Sequence, residues 1–407
     1  MGPTDLGSMV EAIRRRPMLV RFFLMGLLNN VTYVIMIAGS PEIAAESIGL
    51  VYFLAVAPAI VVKVSSQFWF DRVSYWWRLM VCVPILMALA FSSVAFAPFA
   101  IKLLGVGACA VQSALGEASC LALTSRFPSS ERRLLITAWS SGTGIAGIAG
   151  YVIVASFRAL DMPFVAMLTS SLFVLPTAWM FLYSSVHGGF EDIHEAAVAH
   201  VSDAEETAAM VVGLPQPQYG GSVWNRLIRI VPYSLPLFVV YFAEYACQSG
   251  VWITIGRSEV ARRRFYMGAN IVCVSEVEIS VRSLAYVLTR CTRSFIRYQI
   301  GVFLSRSSGS VVSLSVCQLP WLAAFQFGLM LFFIVVSALE ISGWWLLVPA
   351  FVTGIFGGLC YVNAFKLLAH DSPPSEREKN MALTSTFDSL GVGCADLFGI
   401  MLQRWLS

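Results

Sequence analysis

Residues 238–250 read FVVYFAEYACQSG, a run suited to hydrocarbon that carries a carboxylate, Glu244, in its middle. A buried, unpaired carboxylate is costly, so Glu244 is neutralised, paired, turned to a water-filled space, or not in a membrane at all. Composition removes the last option. Of the 407 residues, 57% are hydrophobic and 13% charged, and the mean hydropathy is +0.74. Soluble domains are about 25% charged, so the chain is predicted to be an all-α polytopic membrane protein. The formal net charge of +3 is too small and too scattered for a nucleic-acid binder.

Working outward from that run, each crossing needs about 20 mostly apolar residues. Such runs cover 20–38, 48–67, 79–97, 102–124, 134–157, 164–184, 230–254, 298–317, 320–338, 344–367 and 380–402. The count is about eleven, six before a long polar break and five after it. The break, 185–225, holds His187, His194, His200, Glu191, Glu195, Glu205 and Glu206 but no Lys or Arg. Its histidines lack a convergent ligand set, so it reads as an acidic tether and not as a metal site. The expected organisation is therefore a six-helix bundle over 1–184, a tether over 185–225 and a five-helix bundle over 226–407.

Basic residues cluster in alternate loops. Arg14, Arg15, Arg16 and Arg21 precede the first run, Arg72 and Arg78 follow the second, Arg126, Arg132 and Arg133 follow the fourth, and Arg377 and Lys379 precede the last. The positive-inside rule then puts the N-terminus, the tether and the 368–379 loop in the cytoplasm. The stretch 271–297, IVCVSEVEISVRSLAYVLTRCTRSFIR, is too charged for a span and reads as an irregular or amphipathic insert. The nine cysteines show no CxxC pair and read as packing residues.

Polar residues recur inside the spans. Tyr241, Glu244, Tyr245 and Gln248 stand at intervals of three and four, one face of a helix able to hydrogen-bond a carboxyl group. Asn29 and Tyr33 lie in the first run, Lys63 in the second, Gln112 and Glu117 in the fourth, Asn363 in the tenth, and Asp388 and Asp396 in the last. Full charges at midplane are expensive unless they pair or meet water, so Lys63, Glu117, Glu244 and Asp388 are expected to share a polar interior. Packing glue and pathway lining both remain open for Asn29 and Asn363. In AWSSGTGIAGIAGY, residues 138–151, Ser141, Gly144, Gly147 and Gly150 fall near turn spacing, which allows close helix packing and leaves room for a solute.

The stretches GLLNNVTYVIM (26–36), PAIVVK (58–63), LGEASCLALTSRFP (115–128), SLPLFVVYFAEY (234–245), GVFLSRSS (301–308), GGLCYVNAF (357–365) and FDSLG (387–391), together with 138–151, resemble the battenin family in order from first span to last. That resemblance implies a major facilitator-like fold in a lysosomal or vacuolar membrane. The Asp71-Arg72 turn after the second run fits this fold. The resemblance further implies no cofactor, a part in basic amino acid and pH balance, and a small polar or zwitterionic solute, either a glycerophosphodiester or a basic amino acid; burial of Glu244 in an acidic organelle's membrane adds its protonation as a coupling step. Glu117, Glu244, Lys63 and Asp388 fall on family positions. The chain departs at Gln248-Ser249-Gly250 and in the insert near 271–297. No catalytic motif such as HExxH or GxSxG is present, so an enzyme is not expected. The rival to a solute carrier is a non-transporting scaffold that binds trafficking or lipid-handling partners through its tether.

Overall fold

Each of the eleven apolar runs contains a helix in the computed structural model, which describes residues 17–44, 48–70, 72–208, 223–252, 254–255 and 297–406. The first six are α1 Pro17–Ala38, α2 Ile48–Trp69, α3 Val83–Phe96, α4 Phe99–Leu123, α5 Ser129–Ala159 and α6 Phe164–Ala208. The remaining five are α7 Val223–Tyr245, α8 Arg297–Ser307, α9 Leu319–Ala338, α10 Leu347–Asp371 and α11 Pro374–Leu406. Two π-helical turns, Trp76–Cys82 and Ala246–Val251, lead into α3 and out of α7.

Nine helical segments among the described residues are long and apolar enough to cross a membrane. The other two of the eleven are α8 and α11, and each has a reason in its residues. α11 has 33 residues, but it opens on Glu376-Arg377-Glu378-Lys379 and carries Asp388 and Asp396. α8 has only 11 residues, so the expected span 298–317 is corrected: the helix stops at Ser307 and a 3-10 turn follows at Ser308–Ser310. Serine and glycine at 305–310 favour leaving the helix, and two side chains of α10 accept the consequence. Lys366 donates to the carbonyls of Gly309 and, at 3.3 Å, Val312, while Asn363 Oδ1 accepts the Leu314 N–H at 3.1 Å.

α6 runs on through Ala208, past the expected boundary at 184, because residues 191–208 are rich in Ala and Glu, which favour helix. Residues 209–222 lie outside the described residues, as do Asp71 and 271–296 of the insert.

Packing pairs expose the internal symmetry. α1 lies along α5 and α7 along α11; α2 packs on α4 and α8 on α10; α3 packs on α4 and α9 on α10. Between the halves, α2 meets α11 and α5 meets α8, contacts that the same exchange of α1–α5 for α7–α11 interconverts. The glycine stripe of α5 serves two of these contacts. A Cβ on Gly142 would overlap the Phe23 carbonyl of α1, and one on Gly144 would stand 3.1 Å from the Phe303 Cα of α8. Larger residues at either position would push a neighbouring backbone away.

Candidate functional site

The deepest ionic centre joins the halves. Lys63, 2% exposed, reaches from α2 to Glu117 Oε2 of α4 at 2.6 Å and to Asp388 Oδ1 and Ser389 Oγ of α11 at 2.9 and 2.8 Å. Its three N–H bonds are thus all taken, which is the condition for holding an ammonium away from water. Tyr361 of α10 donates to Glu117 Oε1 at 2.7 Å, so Glu117 is bonded from both halves. Ser389 also donates to Asp388 at 2.9 Å.

A second centre lies on the α7–α8–α10 side. Glu244 is buried and accepts a hydrogen bond from the Tyr298 hydroxyl of α8. The π turn after α7 brings Gln248 to the same hydroxyl, with Nε2 donating at 2.6 Å. Gly357 of α10 leaves the space that the Glu244 carboxylate fills; a Cβ there would overlap it. Arg306, half-buried on α8, donates through Nη1 to Thr143 Oγ1 of α5 at 2.6 Å and through Nη2 to the Tyr241 hydroxyl at 2.7 Å. Its guanidinium lies 4.3 Å from the Tyr361 ring centroid, a cation–π arrangement. Tyr245 stacks on Tyr241 at 6.0 Å between centroids, and Tyr361 lies 6.2 Å from Tyr241. Tyr361 therefore touches both centres, bonding Glu117 in one and covering Arg306 in the other.

The expected face of α7 thus divides its work: Tyr241 goes to Arg306, Glu244 and Gln248 go to Tyr298, and Tyr245 supplies a ring. Of four other candidates, three bond elsewhere and Tyr33 packs against apolar side chains. Asn29 accepts from Gln112 at 3.0 Å and donates to the Ser113 carbonyl at 3.1 Å, both on α4. Ser141 bonds back to the Thr137 carbonyl at 2.8 Å. Asn363 ties α10 to the segment after α8. Tyr33 is half-buried against the apolar cluster that holds Ile35 and Val154. Sequence reasoning missed Arg306, Tyr298, Tyr361 and Thr143. The available signal was Arg306 within GVFLSRSS, a cation three residues past Phe303 in a run otherwise suited to a membrane; the arginines of the neighbouring insert hid it.

The sequence profile described as CLN3 protein matches residues 20–407. The chain belongs to the CLN3 protein family. Curated relatives include Protein BTN1 of Eremothecium gossypii, 27% identical with 96% of this chain and 95% of that protein covered. Protein btn1 of Schizosaccharomyces pombe is 29% identical, with 94% of this chain and 92% of that protein covered. Among solved structures, the proton:xylose symporter XylE bound to 6-bromo-6-deoxy-D-glucose aligns with a TM-score of 0.63 at 12% identity, covering 96% of this chain and 89% of that one. This CLN3-family chain is accordingly a multi-pass membrane protein with the major facilitator fold.

Proposed function

We propose that the chain is a solute carrier of a lysosomal- or vacuolar-type membrane that moves a small polar or zwitterionic solute, a glycerophosphodiester or a basic amino acid, by alternating exposure of its interior. The observation that carries this reading is the Lys63 centre: a buried cation of the first half shared between a carboxylate of its own half and one of the other. In a fold whose two halves rock about a midplane site, such a link must loosen in every cycle. A solute with its own charges is suited to loosen it, an anionic group taking Lys63 or a cationic one taking a carboxylate. The two centres hold Lys63 and Arg306 against Glu117, Asp388 and Glu244. When all are ionised, one negative charge is in excess, and a proton or a cationic solute group removes it. That excess is the support for proton coupling, with Glu244 as the group that carries the proton.

The arginine asymmetry supports an N-terminus and a 185–225 segment facing the cytoplasm. On that orientation the halves touch at their cytoplasmic ends, where Glu378 of α11 lies 3.7 Å from Arg78 and 3.8 Å from Arg126. Gln67 donates to the Lys379 carbonyl and accepts from Arg226, both at 3.2 Å. Protease protection of tags at residue 5 and residue 205 tests the orientation: both are expected to be cleaved in intact organelles. Flux of labelled glycerophosphodiesters and basic amino acids into proteoliposomes, with and without a pH gradient, tests the carrier. Uptake of one class, lost in Lys63→Met, is expected; no flux of any solute would favour the scaffold.

A further inference from the structure

The turn between α4 and α5 reads FPSSERR over 127–133, and the turn between α10 and α11 reads SPPSEREK over 372–379. Aligned on proline, Pro128, Ser130, Glu131 and Arg132 recur as Pro373, Ser375, Glu376 and Arg377. These are the two turns that the internal symmetry exchanges, since α4 and α5 correspond in packing to α10 and α11. The backbone repeats with the sequence. The Glu131 and Arg132 N–H groups bond the Pro128 carbonyl at 3.0 and 2.9 Å, and those of Glu376 and Arg377 bond the Pro373 carbonyl at 3.0 and 2.9 Å. The guanidinium groups repeat as well: Arg132 Nη2 donates to the Phe127 carbonyl and Arg377 Nη2 to the Ser372 carbonyl, each at 2.9 Å.

Symmetry brings these two like charges together at the seam. Arg132, 8% exposed, also crosses it, donating to the Ala369 carbonyl of α10 at 3.2 Å, three residues before the Ser372 carbonyl that Arg377 takes, so both guanidinium groups stand at the same end of α10. All of these acceptors are carbonyls, which satisfy hydrogens but bring no counter-charge. The Nε–H of each arginine is buried without a partner. The carboxylates of the α10–α11 turn have partners of their own: Glu376 bonds Arg229 at 3.0 Å, Glu378 pairs with Arg78 and Arg126, and Asp371 bonds Tyr233 at 2.6 Å. Two guanidiniums with spare donors and no carboxylate bonded to them among the described residues are an unbalanced arrangement at a partly dry interface.

We propose that Arg132 and Arg377 form an anion site on the symmetry seam that accepts a phosphate group, from a lipid headgroup or free in solution, and that its occupancy holds this end of the two halves together. A tetrahedral phosphate presents separate oxygens to two guanidinium forks, the match for which arginine is suited. The first turns of α5 and α11 carry these arginines, so the positive ends of two helix dipoles point the same way. A phosphate here balances the two positive charges and adds bonds to each half. The site favours the conformer in which the seam is closed.

Thermal unfolding of the full-length chain in nanodiscs reads the site. One arm compares chloride with inorganic phosphate at matched ionic strength and pH; the other compares uncharged lipid with the same lipid containing a phosphoinositide. A rise in Tm in the first arm identifies free phosphate, and a rise confined to the second identifies the headgroup. Arg132→Gln and Arg377→Gln should each weaken the apparent affinity about tenfold or more, the effect of losing a charge-assisted hydrogen bond. Exposed Arg133→Gln should leave the affinity unchanged. An arginine that only caps carbonyls would lower Tm equally with and without phosphate. Where a Gln variant fails to fold, the Lys variant, which keeps the charge but loses the fork, takes its place and should show the same weakened response. No Tm rise in either arm for the wild-type chain, or a rise that survives in both variants, would overturn the site.

Discussion

Lys63 and Arg306 are both cations held between helices of the interior, and they are neutralised differently. Lys63 faces two carboxylates, one from each half, and spends every donor on them and on Ser389. Arg306 bonds hydroxyls, Thr143 and Tyr241, and lies against the ring of Tyr361, while the carboxylate of the same centre, Glu244, is bonded by Tyr298. A cation between two carboxylates is a lock whose opening uncovers full charges. A cation among phenols and hydroxyls is a softer arrangement, in which partners exchange without leaving a bare ion. Both centres cross between the halves, the first through Lys63 and Asp388 and the second through Arg306 and Thr143, but of the two the first alone does so with a full charge on each side.

The comparison breaks most visibly at Lys63. Lys63→Met should destabilise the fold by about 3–5 kcal/mol, because it leaves the buried Asp388 and the half-buried Glu117 without their cation. Thermal unfolding in detergent measures this, and adding Glu117→Gln and Asp388→Asn to the same chain should recover much of the loss. An unchanged Tm in the single variant would end the argument for a lock. Next in size is Arg306→Lys, expected to cost about 1–3 kcal/mol because one ammonium cannot reproduce the fork between Thr143 and Tyr241; the same unfolding assay reads it.

Glu244→Gln sharpens the contrast. It keeps the shape and the bond to Tyr298, so folded protein should remain near wild-type level while the pH dependence of flux flattens. Flux normalised to folded protein across lumenal pH decides the matter, and superimposable profiles would return Glu244 to a structural role. The smallest effect belongs to Asn29→Ala, about 1 kcal/mol or less as for other polar packing in membranes. Flux per folded protein should not change, and a selective loss of flux would move Asn29 into the pathway.

Much of this was legible before any coordinates. Glu244, Lys63, Glu117 and Asp388 stood out because ions in apolar runs are expensive wherever the helices go. Asn29 and Asn363 stay open in the sequence, since an amide serves equally well as packing or as lining and only its partners tell which. Arg306 was hidden because the sequence does not say where the arginine-rich insert stops and the interior starts.

Hydropathy is a property of each segment alone, and for that reason the sequence by itself determined the membrane class and the approximate runs. The symmetry was present in it too, in Pro-x-Ser-Glu-Arg written twice, but nothing in one dimension says that the two copies meet. Tertiary structure alone decided the pairings: that Lys63 takes Asp388 from the far end of the chain and that Tyr361 touches both centres. Each of these depends on which donor and acceptor arrive within about 3 Å of one another, and that is fixed by helix packing between the halves, not by any segment's own preference.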